Sequence, residues 1–194
     1  IPNKAKDPYP VSAAAMLTVA SAQTTPVTLP VMLFDPGRLP QETRQSAREQ
    51  LARIFAAATV KIQWMAADAA LRETRARIDV VLLTDAMARR LAQAKEIPPN
   101  ALGVAAPESR RAYVFVDRVM HVASRTGADP GDTLGCIMAH EIGHLLLHST
   151  THSSEGVMRA DFRPEDLKKA GQRQLKFTPE EADVIHRNTQ AQGH

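Results

Sequence analysis

The sequence predicts an α+β fold, a sheet backed by helices with a small helical region at the C-terminal end, and three observations predict it. The first half alternates short apolar runs of strand length with turn residues and one amphipathic helical stretch. One run, Ile78 to Thr84 (IDVVLLT), is branched almost throughout, as expected of a central strand covered on both faces. After Asp129-Pro130-Gly131-Asp132 the pattern becomes one long apolar helix, then a polar loop and two helical segments.

Taken in order, Val27 to Asp35 (VTLPVMLFD) reads as a strand closed by a Pro36-Gly37 turn, with Pro30 marking an edge or an early strand position. From Gln41 to Thr59 the apolar residues Ala47, Leu51, Ile54, Phe55 and Ala58 recur at three and four, giving a helix with one buried stripe. Val60 to Met65 alternates as a second strand, and Ile78 to Thr84 is the third. Asp85 is expected to cap a short helix over 86–95, ended by Ile97-Pro98-Pro99-Asn100 before the Gly-containing segment Leu102 to Pro107. Arg110 to Val119 reads as a further strand in a sheet covered on one side. A short helix follows Pro164, and the capping box Thr178-Pro179-Glu180-Glu181 opens the last one.

With 194 residues and 44% apolar content, the chain can bury the core of one domain. We expect an N-terminal arm over 1–26 and a single domain over 27–194, with the sheet and long helix in 27–148 and the loop and last helices in 149–194. Lys4, Lys6, the apolar run Val11 to Ala20 and Ala20-Ser21-Ala22 loosely resemble a secretory signal, but Asp7, Pro8 and Pro10 interrupt it. The start at Ile1 rather than Met suggests that something upstream has been removed. No run approaches the roughly 20 apolar residues of a membrane-spanning helix, so no membrane partner is expected. The net charge of +3 comes from scattered Lys and Arg with only 4% aromatic residues, which offers nucleic acid neither a basic stripe nor a stacking platform. The single cysteine, Cys136, excludes an internal disulfide and a thiolate zinc site; it reads as a small buried apolar residue.

The long helix carries His140-Glu141-Ile142-Gly143-His144. Histidines four apart lie one turn above each other, close enough for both imidazoles to hold one metal ion. Zinc takes neutral imidazole nitrogen at about 2.0–2.1 Å, and a catalytic site keeps three protein ligands and an open position. Glu141, about 100° around the helix, lies beside that position as a general base. A match to this pentapeptide arises by chance in on the order of one chain in a hundred. Its setting among Ile137, Met138, Ala139, Ile142, Leu145, Leu146 and Leu147 adds weight, because unpaired polar groups are costly there. The third ligand comes from downstream. His152 is reached if Ser149-Thr150-Thr151 turns the chain back, and His148, one helical turn after His144, competes with it. Three stacked helical imidazoles surround a tetrahedral ion poorly, which favours His152. Asp161, Glu155 and Glu165 are carboxylates able to replace a histidine, though none sits in a recognisable motif. His121 and His186 read as surface or structural residues.

The segment resembles the metzincin clan of zinc endopeptidases, whose signature His-Glu-x-x-His-x-x-Gly-x-x-His is followed by a methionine-containing turn. His140, Glu141 and His144 match position for position, and Met158 in Gly156-Val157-Met158 resembles the Met-turn residue. Ala139 to Arg159 is more closely similar to a bacterial metzincin-like family with the pattern AHEIGHLLLGxxxHSxxGIMR, and the likeness extends over most of the chain, to Phe177-Thr178-Pro179-Glu180-Glu181. Three positions depart from these patterns. The strict signature puts Gly at Leu147 and His at Thr150, and the closer family's Gly falls on His148. No Tyr follows Met158. The resemblance implies a zincin-like fold with a twisted, mixed but mostly parallel sheet, an active-site helix and a small C-terminal lobe. It also implies Zn2+ as cofactor, a peptide or protein substrate paired along an edge strand, for which Arg110 to Val116 is the candidate, and a secreted or periplasmic location. A monomer is expected. The reading from another class is a catalytically silent binding module that keeps the metal to staple the C-terminal loop to the helix; an intact Glu141 weighs against it.

Overall fold

The computed structural model describes residues 25–66, 76–172 and 174–193, so the signal-like stretch and the apolar run Val11 to Ala20 lie outside the described residues. Five strands, β1 (Val27–Phe34), β2 (Val60–Trp64), β3 (Ile78–Leu83), β4 (Gly103–Ala106) and β5 (Arg111–Phe115), form one sheet in the order β2-β1-β3-β5-β4. Every pair is parallel except β4 with β5. The helices are α1 (Gln41–Ala56), α2 (Asp85–Lys95), α3 (Val116–Thr126), α4 (Pro130–Leu147), α5 (Pro164–Gly171) and α6 (Pro179–Gln192). The fold is therefore α+β with a mostly parallel sheet, as the sequence predicts.

Strand β3 occupies the centre, in keeping with its branched composition. Pro30 is not on an edge strand, since β1 lies between β2 and β3. Val27 N–H donates to Thr59 of the β2 side, so by strand alternation the nitrogen of Pro30 faces β3, whose pairing starts only at Val31. The donor that proline lacks would have had no partner there.

Period-two alternation sorts the sheet into two faces. Leu29, Val31, Val80, Leu82, Ala112 and Val114 join Leu51, Ile54 and Phe55 of α1 and Leu134, Ile137 and Ile142 of α4 in the main core. Val81, Leu83, Val104, Tyr113 and Phe115 point the other way and pack with Ala88 and Leu91 of α2. The expected one-sided cover is thus corrected: α2 shields part of the second face. Its N-cap is Thr84, and Asp85 instead lies in the first turn, paired with Arg89 one turn on.

The strand expected over Arg110 to Val119 ends at Phe115, and the chain continues directly as α3. Val116, Val119, Met120 and Ala123 recur at helical spacing, and Val119 and Ala123 are buried. The turn into α3 places the Arg118 guanidinium 4.3 Å over the Phe115 ring, where it donates to the carbonyls of Pro98 (3.1 Å) and Ala101 (2.7 Å). Nor is β5 an edge strand: β3 and β4 flank it, and on this side of the sheet the edge strand is β4.

Helix α4 is the spine. The Asp129 carboxylate caps it by accepting from the Asp132 N–H at 2.8 Å, and Asn188 of α6 donates to the Leu146 carbonyl at 2.7 Å. Nearly all its residues are buried, because it packs against α1, α3, α5, α6, β4 and β5. Val157, Met158, Leu175, Phe177 and Ile185 of the C-terminal segment enter the same core. Among the described residues, no helix is long and apolar enough to cross a membrane.

Candidate metal centre

One face of α4 carries His140 and His144, and their rings meet edge-on with centroids 4.6 Å apart. His148 ends the helix in the left-handed region, at φ 49°, and releases the chain into a loop that returns beneath the two rings. His152 stands on that loop, stacked 5.2 Å from the ring of His140 and edge-on 4.9 Å from that of His144. One nitrogen from each of the three lies within 4.8 Å of those of the other two. His148, exposed on the wall of the same cleft, is outside this trio, as are Glu155, Asp161 and Glu165.

The hydrogen bonds decide which nitrogens are free. Nδ1 of His140 lies 2.8 Å from the Val157 carbonyl, and Nδ1 of His144 lies 2.8 Å from the Ser149 carbonyl. A carbonyl oxygen only accepts, so each Nδ1 carries the proton and each neutral ring presents a lone pair at Nε2. The two Nε2 atoms face each other at 3.0 Å. Two lone pairs at that distance repel unless a cation lies between them. A proton is disfavoured: burial, with smaller contributions from His144 and His152, pulls the His140 imidazole down to about 4 against the opposing Val157 bond. Burial lowers His144 as well. The donor set therefore fits a divalent metal bound by neutral imidazoles.

Beside the trio, Glu141 is buried, and loss of hydration pushes its carboxyl up to about 8. Elsewhere on α4, Met158 presses on the helix at Gly143. A β-carbon there would lie 2.4 Å from the Met158 sulfur, so only glycine admits this contact between the two histidine turns. The loop carrying His152 is pinned at Ser153. Its N–H donates to the Met158 carbonyl at 2.9 Å, and its hydroxyl donates to Glu181, the capping-box residue of α6.

These groups open into a cleft of about 870 Å³ bounded by Leu102 to Ala105 along β4, the loop from Ser149 to His152, and Phe162. Sequence reasoning did not single out Gly103, Gly143 or the second role of Glu181. For Glu181 the capping box was a visible signal, but its bond to Ser153 depends on the fold. Outside the site, His186 Nδ1 donates to the Thr59 carbonyl at 3.2 Å. Cys136 is buried, and burial pushes its thiol up to about 12.

No protein-family model matches the chain, and no curated protein matches it by sequence. Among solved structures, archaemetzincin from Methanopyrus kandleri matches over 88% of this chain and 99% of its own length, with a TM-score of 0.51 and 16% identity. The chain thus has the fold of archaemetzincin, with a histidine trio at its centre suited to a metal ion.

Proposed function

We propose that this protein is a zinc-dependent endopeptidase in which His140, His144 and His152 hold the metal and Glu141 is the general base. One observation carries the reading. Two carbonyl-locked imidazoles direct their unprotonated nitrogens at one point, and a third histidine and a buried carboxyl stand beside it. Zinc in such a site supplies Lewis-acid polarisation of a carbonyl and a water acidified to a pKa of about 7.

The chain's own residues do the rest. The Glu141 carboxyl, which the charge of a bound dication would hold ionised against the effect of burial, takes the proton of the attacking water and passes it to the nitrogen of the leaving amine. Val157 and Ser149 hold the imidazoles of His140 and His144 in the ligating tautomer through their carbonyls. Met158 supports α4 from below. An extended peptide pairs its main chain with the free edge of β4, which lines the cleft, rather than with β5.

The test is hydrolysis of an unfolded protein by the zinc-loaded enzyme and by Glu141→Gln, with metal content measured in both. The expected result is one zinc per chain in each and a rate lower by about 10²–10⁴ in the variant. Equal rates at background, with zinc still bound, would leave the metal-stapled binding module as the reading.

A further inference from the structure

Gly103 opens β4, and its neighbour in space is Glu141. A β-carbon built on Gly103 would lie 2.6 Å from Cγ, 2.6 Å from Oε1 and 2.8 Å from Cδ of that side chain. All three distances are far inside van der Waals contact, so the carboxyl rests directly on the main chain of the edge strand. The backbone conformation does not call for glycine here, because Gly103 is not among the residues with positive φ. Space calls for it. The strand has little freedom to retreat: Gly103 is paired opposite Val114, and the Leu102 carbonyl accepts from the Phe115 N–H at 2.9 Å. On the other side, α4 is buried along nearly its whole length.

We propose that Gly103 is the positioning residue for Glu141, its bare backbone forming the ledge that fixes the carboxylate relative to the histidine trio. This rests on the endopeptidase reading for its functional meaning, though not for its geometry. The atoms a β-carbon would meet are the outer end of a flexible side chain, so alanine is accommodated by rotation of Glu141 and not by unfolding. The edge strand that receives substrate is then also the strand that sets the base, which couples main-chain pairing of the peptide to the position of proton transfer.

The experiment is Gly103→Ala in the full chain, examined by zinc content, thermal unfolding, steady-state kinetics and crystallography beside the wild type. Expected are unchanged zinc stoichiometry, KM within about threefold, and a fall in kcat on the order of 10²-fold, the cost of misplacing a reacting group by about 1 Å. The crystal structure should show the Glu141 carboxylate displaced with the backbones of α4 and β4 superposing. An unchanged kcat in an active enzyme, or a carboxylate left in place while β4 moves away, would overturn the proposal. Should the wild type hydrolyse nothing, the endopeptidase reading falls, and the position of the carboxylate in the two crystal structures alone decides this one.

Discussion

His148 is the residue at which the chain departs most clearly from the glycine expected after the helix. It holds a left-handed conformation at φ 49°, which costs a residue with a β-carbon about 1–2 kcal/mol. His148→Gly is therefore expected to raise stability by about 1 kcal/mol in urea unfolding, and to leave zinc content unchanged because its ring is outside the trio. His152→Ala is expected to lose the metal. The reverse pattern, metal lost only from the His148 variant, would exchange the two assignments. Cys136, one helical turn before His140, offers a pH test that involves none of the proposed ligands. Its folded pKa is raised from 9.0 to about 12, so its contribution to stability is complete below pH 9 and is lost as pH rises from there toward 12, where the unfolded thiol releases its proton first. The urea midpoint of the wild type should fall more steeply above about pH 9 than that of Cys136→Ala; parallel slopes would contradict the assignment. The pairing of His140 with His144 was legible in the sequence because four-residue spacing is a property of any helix. Gly103 was not, because only the antiparallel pairing of β4 with β5 brings it to Glu141.

At the scale of elements, the legible parts were those whose pattern outlasts a turn: α1 with its apolar stripe, β3 with its branched run, and α6 with its capping box. The boundary between β5 and α3 was hidden. Phe115 is both the last strand residue and the N-cap of the helix, with no glycine or proline to mark the change. Strand β4 was hidden for a different reason. Gly103-Val104-Ala105-Ala106 has one branched residue in four, and it is a strand because β5 offers it a ladder. The same dependence on neighbours governs the loop of His152. Ser153 ties it to α6 through Glu181, so Ser153→Ala removes the tie while leaving the Thr178 and Glu181 cap intact. Zinc affinity is expected to fall by about 10- to 100-fold, as for other groups that orient a metal ligand from behind. Titration against a competing chelator measures this; an affinity equal to the wild type would show that the loop holds His152 without the Ser153 hydroxyl.

For the whole molecule, the question is whether the metal makes the fold or only tightens it. The main core joins the sheet, α1, α4 and the C-terminal residues Val157, Met158, Phe177 and Ile185 without using a histidine ligand. Small zinc modules lack such a core and unfold when stripped. This chain is expected to keep its helix and strand content after chelation, as followed by far-UV circular dichroism, and to melt earlier. Zinc that binds only the folded state adds about 2.7 kcal/mol at a free concentration one hundred times its dissociation constant. For a chain of this length each kcal/mol moves the midpoint by about 2–4 °C, so a rise of about 5–10 °C is expected on adding the metal back. Glu141→Gln should show the same rise, because the base is not a ligand. Collapse of the secondary structure on chelation would make the metal a determinant of the fold. An absent shift would mean that the lone pairs facing each other between His140 and His144 are satisfied by something other than zinc.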